Sequence, residues 1–387
     1  MKEVSILIEI SNIRVEKVEN GGRLCCQLKT PALTKELWYQ VNEENAKYLT
    51  YELADPFVVI LLPMAIMHSW DIKVKDTPVS SKLLFGINHF IFPGLKCNSK
   101  VLAEGKEIFF DSNDSVATGM SCGVDSFYTY YLCGLNAQDD KLKIKEMTFF
   151  NVGAHDAGSP NEIRNLFLAR SKKPYEVTKD LDLTFLLGDS NIHEILQEDF
   201  IYVHTFRNIG FALALQKKYH YYYYSSGHSV YEFDISKKKP AFFDLFLLTF
   251  LSNENITFIS TGCVESRLYK LKRISEIPEA QHLLLVCFRD DHNCGFCEKC
   301  IRTLYGLWSI HKLDAFKHSF DLEQFYRNKK KLDVKFMSYV YNDEEDYKEI
   351  YQEIKKEHLK ISFVIKIVGY MYHFARDYIK PLVKKWK

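Results

Sequence analysis

The chain has 387 residues, 47% of them apolar and 14% aromatic, and a formal net charge of +1. This is enough for two domains and a sizeable core, and it excludes a largely disordered protein. The near-neutral balance gives no bulk electrostatic signal for nucleic acid, and no apolar run reaches the roughly eighteen residues of a membrane span.

Residues 1–108 read as a smaller, β-rich α+β domain. Val4–Ile10 alternates as a strand does, and Gly21-Gly22 marks a turn before Arg23–Leu28. Residues 43–53 have helical character, Phe57–Met67 is an apolar run broken by Pro63, Asp71–Val74 reads as a strand and Ser80–Phe92 as a helix. No chemical motif occurs here, and Cys25, Cys26 and Cys97 read as buried thiols. Met1–Ser5 lacks the basic-then-apolar pattern of a secretory leader. Ten cysteines without such a leader point to a reducing, cytoplasmic compartment and to metal or redox use.

Residues 109–312 alternate strands with helices, the pattern of an α/β domain with a doubly wound, mostly parallel sheet. Asp114–Met120 reads as a strand and Phe127–Leu132 as the start of a helix, with Ser121-Cys122-Gly123-Val124-Asp125-Ser126 between them. Such a turn aims N–H groups and a helix dipole at one point, which suits an anion. Gly123 permits close backbone approach, Ser121 and Ser126 offer hydroxyls, and Asp125 suits Mg²⁺ better than phosphate. The bland alternative is an ordinary capped strand-to-helix turn.

Farther on, Lys145–Val152 reads as a buried strand ending near Asn151, Gly153 and Asp156, and Pro160–Arg170 as a helix. Tyr175–Val177 is read as a short strand and Thr205–Gly210 as the approach to a helical Phe211–Lys218. Tyr219–Ser225 is an aromatic strand emptying into Ser226, Gly227 and His228. Ala241–Leu251 reads as helix, Asn255–Thr261 as strand, Val264–Ile274 as a basic helix and His282–Phe288 as a closing strand.

Cys294, Cys297 and Cys300 stand at two successive Cys-x₂-Cys spacings, with Cys287 seven residues upstream. Four thiolates suit a closed, structural tetrahedral Zn²⁺ site; an iron–sulfur cluster and a chance grouping are the alternatives. Residues 313–387 read as a helical tail. Its last segment sets Ile361, Phe363, Val364, Ile367, Val368, Tyr370 and Met371 beside a basic stretch, Arg376–Lys387. That segment suits either a membrane-surface or partner-docking helix or, more simply, one packed on the α/β domain.

The loop resembles the Ser-x-Gly-x-Asp-Ser signature of the PP-loop ATP pyrophosphatase superfamily. With Arg207-Asn208 opening a helix and the four cysteines following in order, the chain is similar to the 7-cyano-7-deazaguanine synthase family of queuosine precursor synthesis. Cys122 departs from that pattern, where a second glycine is commonest, and residues 1–108 and 313–387 lie outside it. The resemblance implies a HUP-type fold with a zinc loop and an enzyme that splits ATP into AMP and pyrophosphate. A carboxylate or base-like small molecule, or a protein acceptor, would be activated for attack by ammonia or an amine. ATP, Mg²⁺ and structural Zn²⁺ would be the cofactors.

Catalytic roles would fall to Asp125, Ser126 and Arg207, and nucleotide contacts to Ser121–Ser126, Asn151, Gly153, Asn208, Gly227 and His228. Plainer roles stand beside these: a surface salt bridge for Arg207, a satisfied loop histidine for His228, a solvated helix surface for Asp244 and a zinc-loop brace for Arg302. A thiolating nucleoside- or RNA-modifying enzyme and a catalytically idle nucleotide-binding scaffold are the other readings. A homo-oligomer is expected.

Overall fold

The computed structural model describes residues 7–111, 115–154, 158–342 and 344–376. The chain forms two compact units: Met1–Met120 with Leu132–Val264, and Ser121–Tyr131 with Glu265–Lys387. These differ from divisions at 108 and 312. The chain enters the second unit just before the Ser121–Ser126 loop, returns to the first, and leaves it again after Val264.

The first unit is α/β around a mostly parallel ten-stranded sheet. Its strands are β1 (Leu7–Val18), β2 (Gly21–Lys29), β3 (Thr34–Val41), β4 (Asp71–Val74), β5 (Val79–Ser80), β6 (Val101–Leu102), β7 (Gly105–Lys106), β8 (Ser115–Gly119), β9 (Glu146–Phe150), β10 (Thr184–Ser190), β11 (Tyr219–Ser225) and β12 (Thr257–Thr261). The order across the sheet is β12-β11-β8-β9-β10-β3-β2-β1-β4-β6, while β5 and β7 form a separate pair. Within β8–β12 every pairing is parallel. Counted along the chain, those five stand in the order 3-2-1-4-5, so the winding reverses at β8, where doubly wound sheets place ligand loops.

The N-terminal strands continue this sheet. Antiparallel pairing of Asp189 with Gln40 and Ser190 with Tyr39 joins β10 to β3. Asn191 secures the join: its carbonyl accepts from the Trp38 N–H at 2.9 Å, and its amide donates to the Glu36 carbonyl at 2.8 Å. Phe57–Met67 lies inside the helix Asp55–His68, which packs on the helix His204–Ala214. The approach is close enough that a Cβ on Gly210 would sit 2.2 Å from Ile60.

Two expected strands are otherwise. Tyr175–Val177 lies within the long helix Pro160–Asp180, started by a Ser159/Glu162 capping box. The β-prone Tyr175 and Val177 yield to a buried side of Phe167, Ser171, Pro174, Val177 and Thr178 at helical spacing. His282–Phe288 is not a strand either: a helix runs Pro278–Leu283 and the rest is irregular. The Asn293 side chain takes the place of a ladder there, accepting from the N–H groups of Val286 (2.9 Å) and Cys287 (3.2 Å) and donating to the Leu284 carbonyl (2.7 Å). Asp114, His155 and Asp156 fall outside the described residues.

The second unit is helical. Its elements include Val124–Tyr130, Arg267–Ile274, Glu298–Ser309, Lys329–Tyr341, Glu345–Lys356 and Phe363–Phe374. Tyr305 stacks on Phe336 with ring centroids 4.3 Å apart, and its hydroxyl donates to Asp333 at 2.5 Å, so the core aromatic is also hydrogen-bonded.

Candidate functional site

β8 runs through Met120 into the loop, whose shape is set by its own small residues. Cys122 has φ +57°, a left-handed conformation that costs a side-chain-bearing residue and explains why glycine suits this position. Its carbonyl accepts from the Leu285 N–H at 2.8 Å, and its side chain is fully buried. Gly123 caps the helix Val124–Tyr130 in an extended conformation. The Ser126 hydroxyl donates to the Gly123 carbonyl at 3.0 Å, and the Ser121 hydroxyl lies 3.4 Å from both Ser126 Oγ and the Gly123 N–H. Ser121 is exposed, and Gly123 and Asp125 are half-buried.

Asp125 sits in the first turn of that helix and engages two cations. Its Oδ2 lies 2.8 Å from Arg267 Nη1 and its Oδ1 2.8 Å from Lys270 Nζ. Burial alone would raise this carboxyl; the charges of Arg267 and Lys270 outweigh it and hold the group well below the usual range. A Mg²⁺ ion would have to share Asp125 with both.

The cysteines stand in the same unit. The four Sγ atoms of Cys287, Cys294, Cys297 and Cys300 all lie within 4.8 Å of one another. Cys294 to Cys300 and Cys287 to Cys297 are each 4.0 Å. Zn–S bonds of about 2.3 Å in a tetrahedron place sulfurs roughly 3.8 Å apart, so the cluster fits Zn²⁺. The Cys297 N–H also donates to Cys294 Sγ at 3.4 Å, a contact that favours the thiolate. Hydrogen bonding from Cys300 draws the Cys297 thiol below its ordinary value. With all four positions filled by sulfur, such a metal has a structural role.

Cys297 and Cys300 fix the start of the helix Glu298–Ser309, which also carries Lys299 and Arg302. Arg302 pairs with Asp346 at 2.6 Å, and its Nε is buried with no hydrogen bond among the described residues. Lys299 pairs with no carboxylate among the described residues. Desolvation first, then the charges of Arg302 and Arg267, lower its pKa, although its side chain keeps access to solvent. Arg267, Lys270, Lys299 and Arg302 thus share one unit with Asp125, and Lys299 feels the charges of Arg302, Arg267 and Asp125. The sequence singled out Asp125 and Arg302 but missed Arg267, Lys270 and Lys299.

The other expected residues lie in the first unit. Asn151 and Gly153 follow β9, and Gly153 has φ +86°. Arg207 is 2% exposed and neither surface-paired nor directed to solvent. Its Nη2 donates to the Leu196 carbonyl at 2.6 Å and to Glu198 at 3.1 Å, and its Nη1 to the Val152 carbonyl at 3.3 Å. In this arrangement it braces the loops after β9 and β10. Asn208 donates to the His204 carbonyl at 2.7 Å. Beside Gly153 lies His193, unremarked in the sequence, whose ring nitrogens are buried and make no hydrogen bond among the described residues, with Nε2 4.0 Å from Glu194 Oε1. Burial lowers its pKa, which favours the neutral ring. The Asn151 side-chain oxygen Oδ1 likewise makes no hydrogen bond among the described residues, while its Nδ2 donates to Asp189 at 2.7 Å.

Gly227 and His228 follow β11. Space around Gly227 is open. His228 lies against Phe242 at 4.1 Å and its Nδ1 is 3.2 Å from Glu232, the satisfied loop histidine of the plainer reading. Asp244 is buried, 3.2 Å from the Ser226 hydroxyl, rather than solvated on a helix surface. Among the described residues no helix is long and apolar enough to cross a membrane. No family model, no curated protein and no solved structure matches this chain.

Proposed function

We propose that the protein is an ATP-dependent adenylating enzyme of the PP-loop type. The observation that carries the reading is the Ser121–Ser126 loop entering a helix whose Asp125 holds Arg267 and Lys270 at 2.8 Å each. The 3-2-1-4-5 order of β8–β12, with the loop following the first of them, supports a HUP-type arrangement.

In the proposed reaction a substrate carboxylate oxygen attacks the α-phosphorus of ATP. The Pα–O bond to the β-phosphate breaks, and pyrophosphate leaves with the electron pair. Ammonia or an amine then adds to the acyl carbon, loses a proton, and AMP leaves. The chain's part is positioning and charge stabilisation. Loop N–H groups and the Ser121 and Ser126 hydroxyls would cradle the departing pyrophosphate. Arg267 and Lys270, oriented by Asp125, and Lys299 and Arg302, placed by the cysteine cluster, would take up its negative charge. Bound Mg²⁺ would supply further neutralisation of the phosphates.

The substrate class that the resemblance favours is a deazapurine carboxylate such as 7-carboxy-7-deazaguanine. Thiolation draws less support, because Cys122, the thiol nearest the loop's centre, is fully buried. The test is product analysis with α-labelled ATP, Mg²⁺ and this acid, with and without ammonium. Acid-dependent AMP and pyrophosphate are expected. AMP with other acids alone would discard the deazapurine. ADP, or no turnover across a broad acceptor set, would overturn adenylation.

A further inference from the structure

The helix Phe363–Phe374 is apolar on both sides. Its inner stripe, Gly369 and His373, is buried, and a Cβ on Gly369 would meet Met337 at 2.6 Å, so this side is seated on the helix Lys329–Tyr341. Its outward face is Phe363, Val364, Ile367, Met371 and Phe374, exposed by 74, 65, 47, 63 and 49%. Five large apolar side chains on one outward stripe form a continuous patch, unlike singly scattered surface residues. Lys366 turns off that face and lies over the Tyr351 ring, 5.6 Å from its centroid.

Charge indicates what covers the patch. Residues 361–387 hold Lys366, Arg376, Lys380, Lys384, Lys385 and Lys387 against Asp377 alone, a net of +5 in a chain whose total is +1. Those after Arg376 lie outside the described residues and enter here as sequence only. The same segment carries Tyr370, Tyr372, Tyr378 and Trp386, aromatic residues with one polar edge. An apolar stripe, a concentrated positive charge and amphipathic rings are together the composition of an interfacial membrane anchor.

We propose that this helix and the basic sequence after it dock on an anionic lipid bilayer. The stripe enters the boundary between headgroups and acyl chains, and the lysines meet the headgroup charge. The helix neither spans the membrane nor needs to.

The test is flotation of the full chain with vesicles of phosphatidylcholine alone or containing about 30% phosphatidylglycerol. Binding at least tenfold stronger to the anionic vesicles, weakening with salt, is expected. Val364→Glu with Met371→Glu should abolish it, and Lys384→Glu with Lys385→Glu should remove the preference for anionic lipid. These substitutions lie on exposed or tail positions, and an unchanged thermal melt would show that the fold is kept. No binding to anionic vesicles, or binding untouched by the Val364→Glu/Met371→Glu pair, overturns the proposal. So does a dimer in light scattering that this pair converts to monomer without any vesicle binding, since a second copy would then cover the face.

Discussion

Asp125 Oδ2 lies 2.8 Å from Arg267 Nη1, across 142 residues of sequence, and Lys270 completes the clasp one helical turn farther on. The carboxylate thus fixes two cations that would otherwise repel each other. Asp125→Ala takes a carboxylate away from the buried Lys270 and the half-buried Arg267 and should cost about 3 kcal/mol of stability, measured by urea unfolding. Arg267→Ala removes a donor instead, and pyrophosphate affinity by calorimetry should fall about tenfold, the worth of roughly 1.4 kcal/mol. Unchanged affinity in Arg267→Ala would remove this residue from the phosphate site.

Lys299 tests the same site without disturbing the core. Its side chain has access to solvent, so Lys299→Ala should change stability by less than about 0.5 kcal/mol. If its ammonium meets phosphate, the KM for ATP should rise about tenfold and Lys299→Arg should recover much of that. A variant with wild-type KM would place Lys299 outside the nucleotide site.

Much of the loop was legible because its chemistry is local: six consecutive residues carry the turn, the cap and the carboxylate. The cysteine spacing was legible for the same reason. Tyr219–Ser225 was readable at its observed bounds, since an unbroken aromatic run has few other uses than a buried strand. β3 and β10 were missed. In β10 the run is short and broken by Gly188, needed because a Cβ there would come within 2.4 Å of the Phe211 ring. Arg267 and Lys270 looked like any basic helix, because nothing near them in sequence reveals an Asp125 so distant along the chain. Arg207 misled in the opposite direction. Its type suits phosphate, but only the fold shows its guanidinium turned to the Val152 and Leu196 carbonyls and the Glu198 carboxylate.

Gly153 is held by conformation and by space. With φ +86° and a notional Cβ 2.8 Å from both Arg207 Nη1 and His193 Cβ, Gly153→Ala must strain the backbone and push the buried guanidinium. A loss of about 1–3 kcal/mol is expected in chemical denaturation. A loss below about 0.5 kcal/mol would mean that the loop after β9 relaxes freely.

The cysteine cluster should bind one Zn²⁺ per chain by elemental analysis. Because thiolate binding is coupled to folding, chelation or Cys297→Ser should remove stability on the order of several kcal/mol and lower the melting temperature. The effect should appear without nucleotide, as a structural rather than a catalytic metal requires. Iron and acid-labile sulfide in place of zinc would replace the assignment with a cluster.

Asp55 gives the fold a pH dependence of unusual sign. Burial pushes its carboxyl up to about 7, although the Ser80 N–H and the Asn253 amide, each at 2.8 Å, oppose this. An unfolded aspartate titrates near 3.9, so between about pH 4 and 7 the native state holds a proton that the unfolded state has released. Stability contributed by this group therefore falls as pH rises, by up to about 1.4 kcal/mol per pH unit, and levels off above the native pKa. Asp55→Asn disturbs the Asn253 contact at every pH but cannot titrate. The stability of the wild type relative to this variant should accordingly be greater at pH 5 than at pH 7 in paired urea melts. A difference that stays constant across that interval would show that Asp55 is already ionised in the folded protein, its charge compensated by the Ser80 and Asn253 donors.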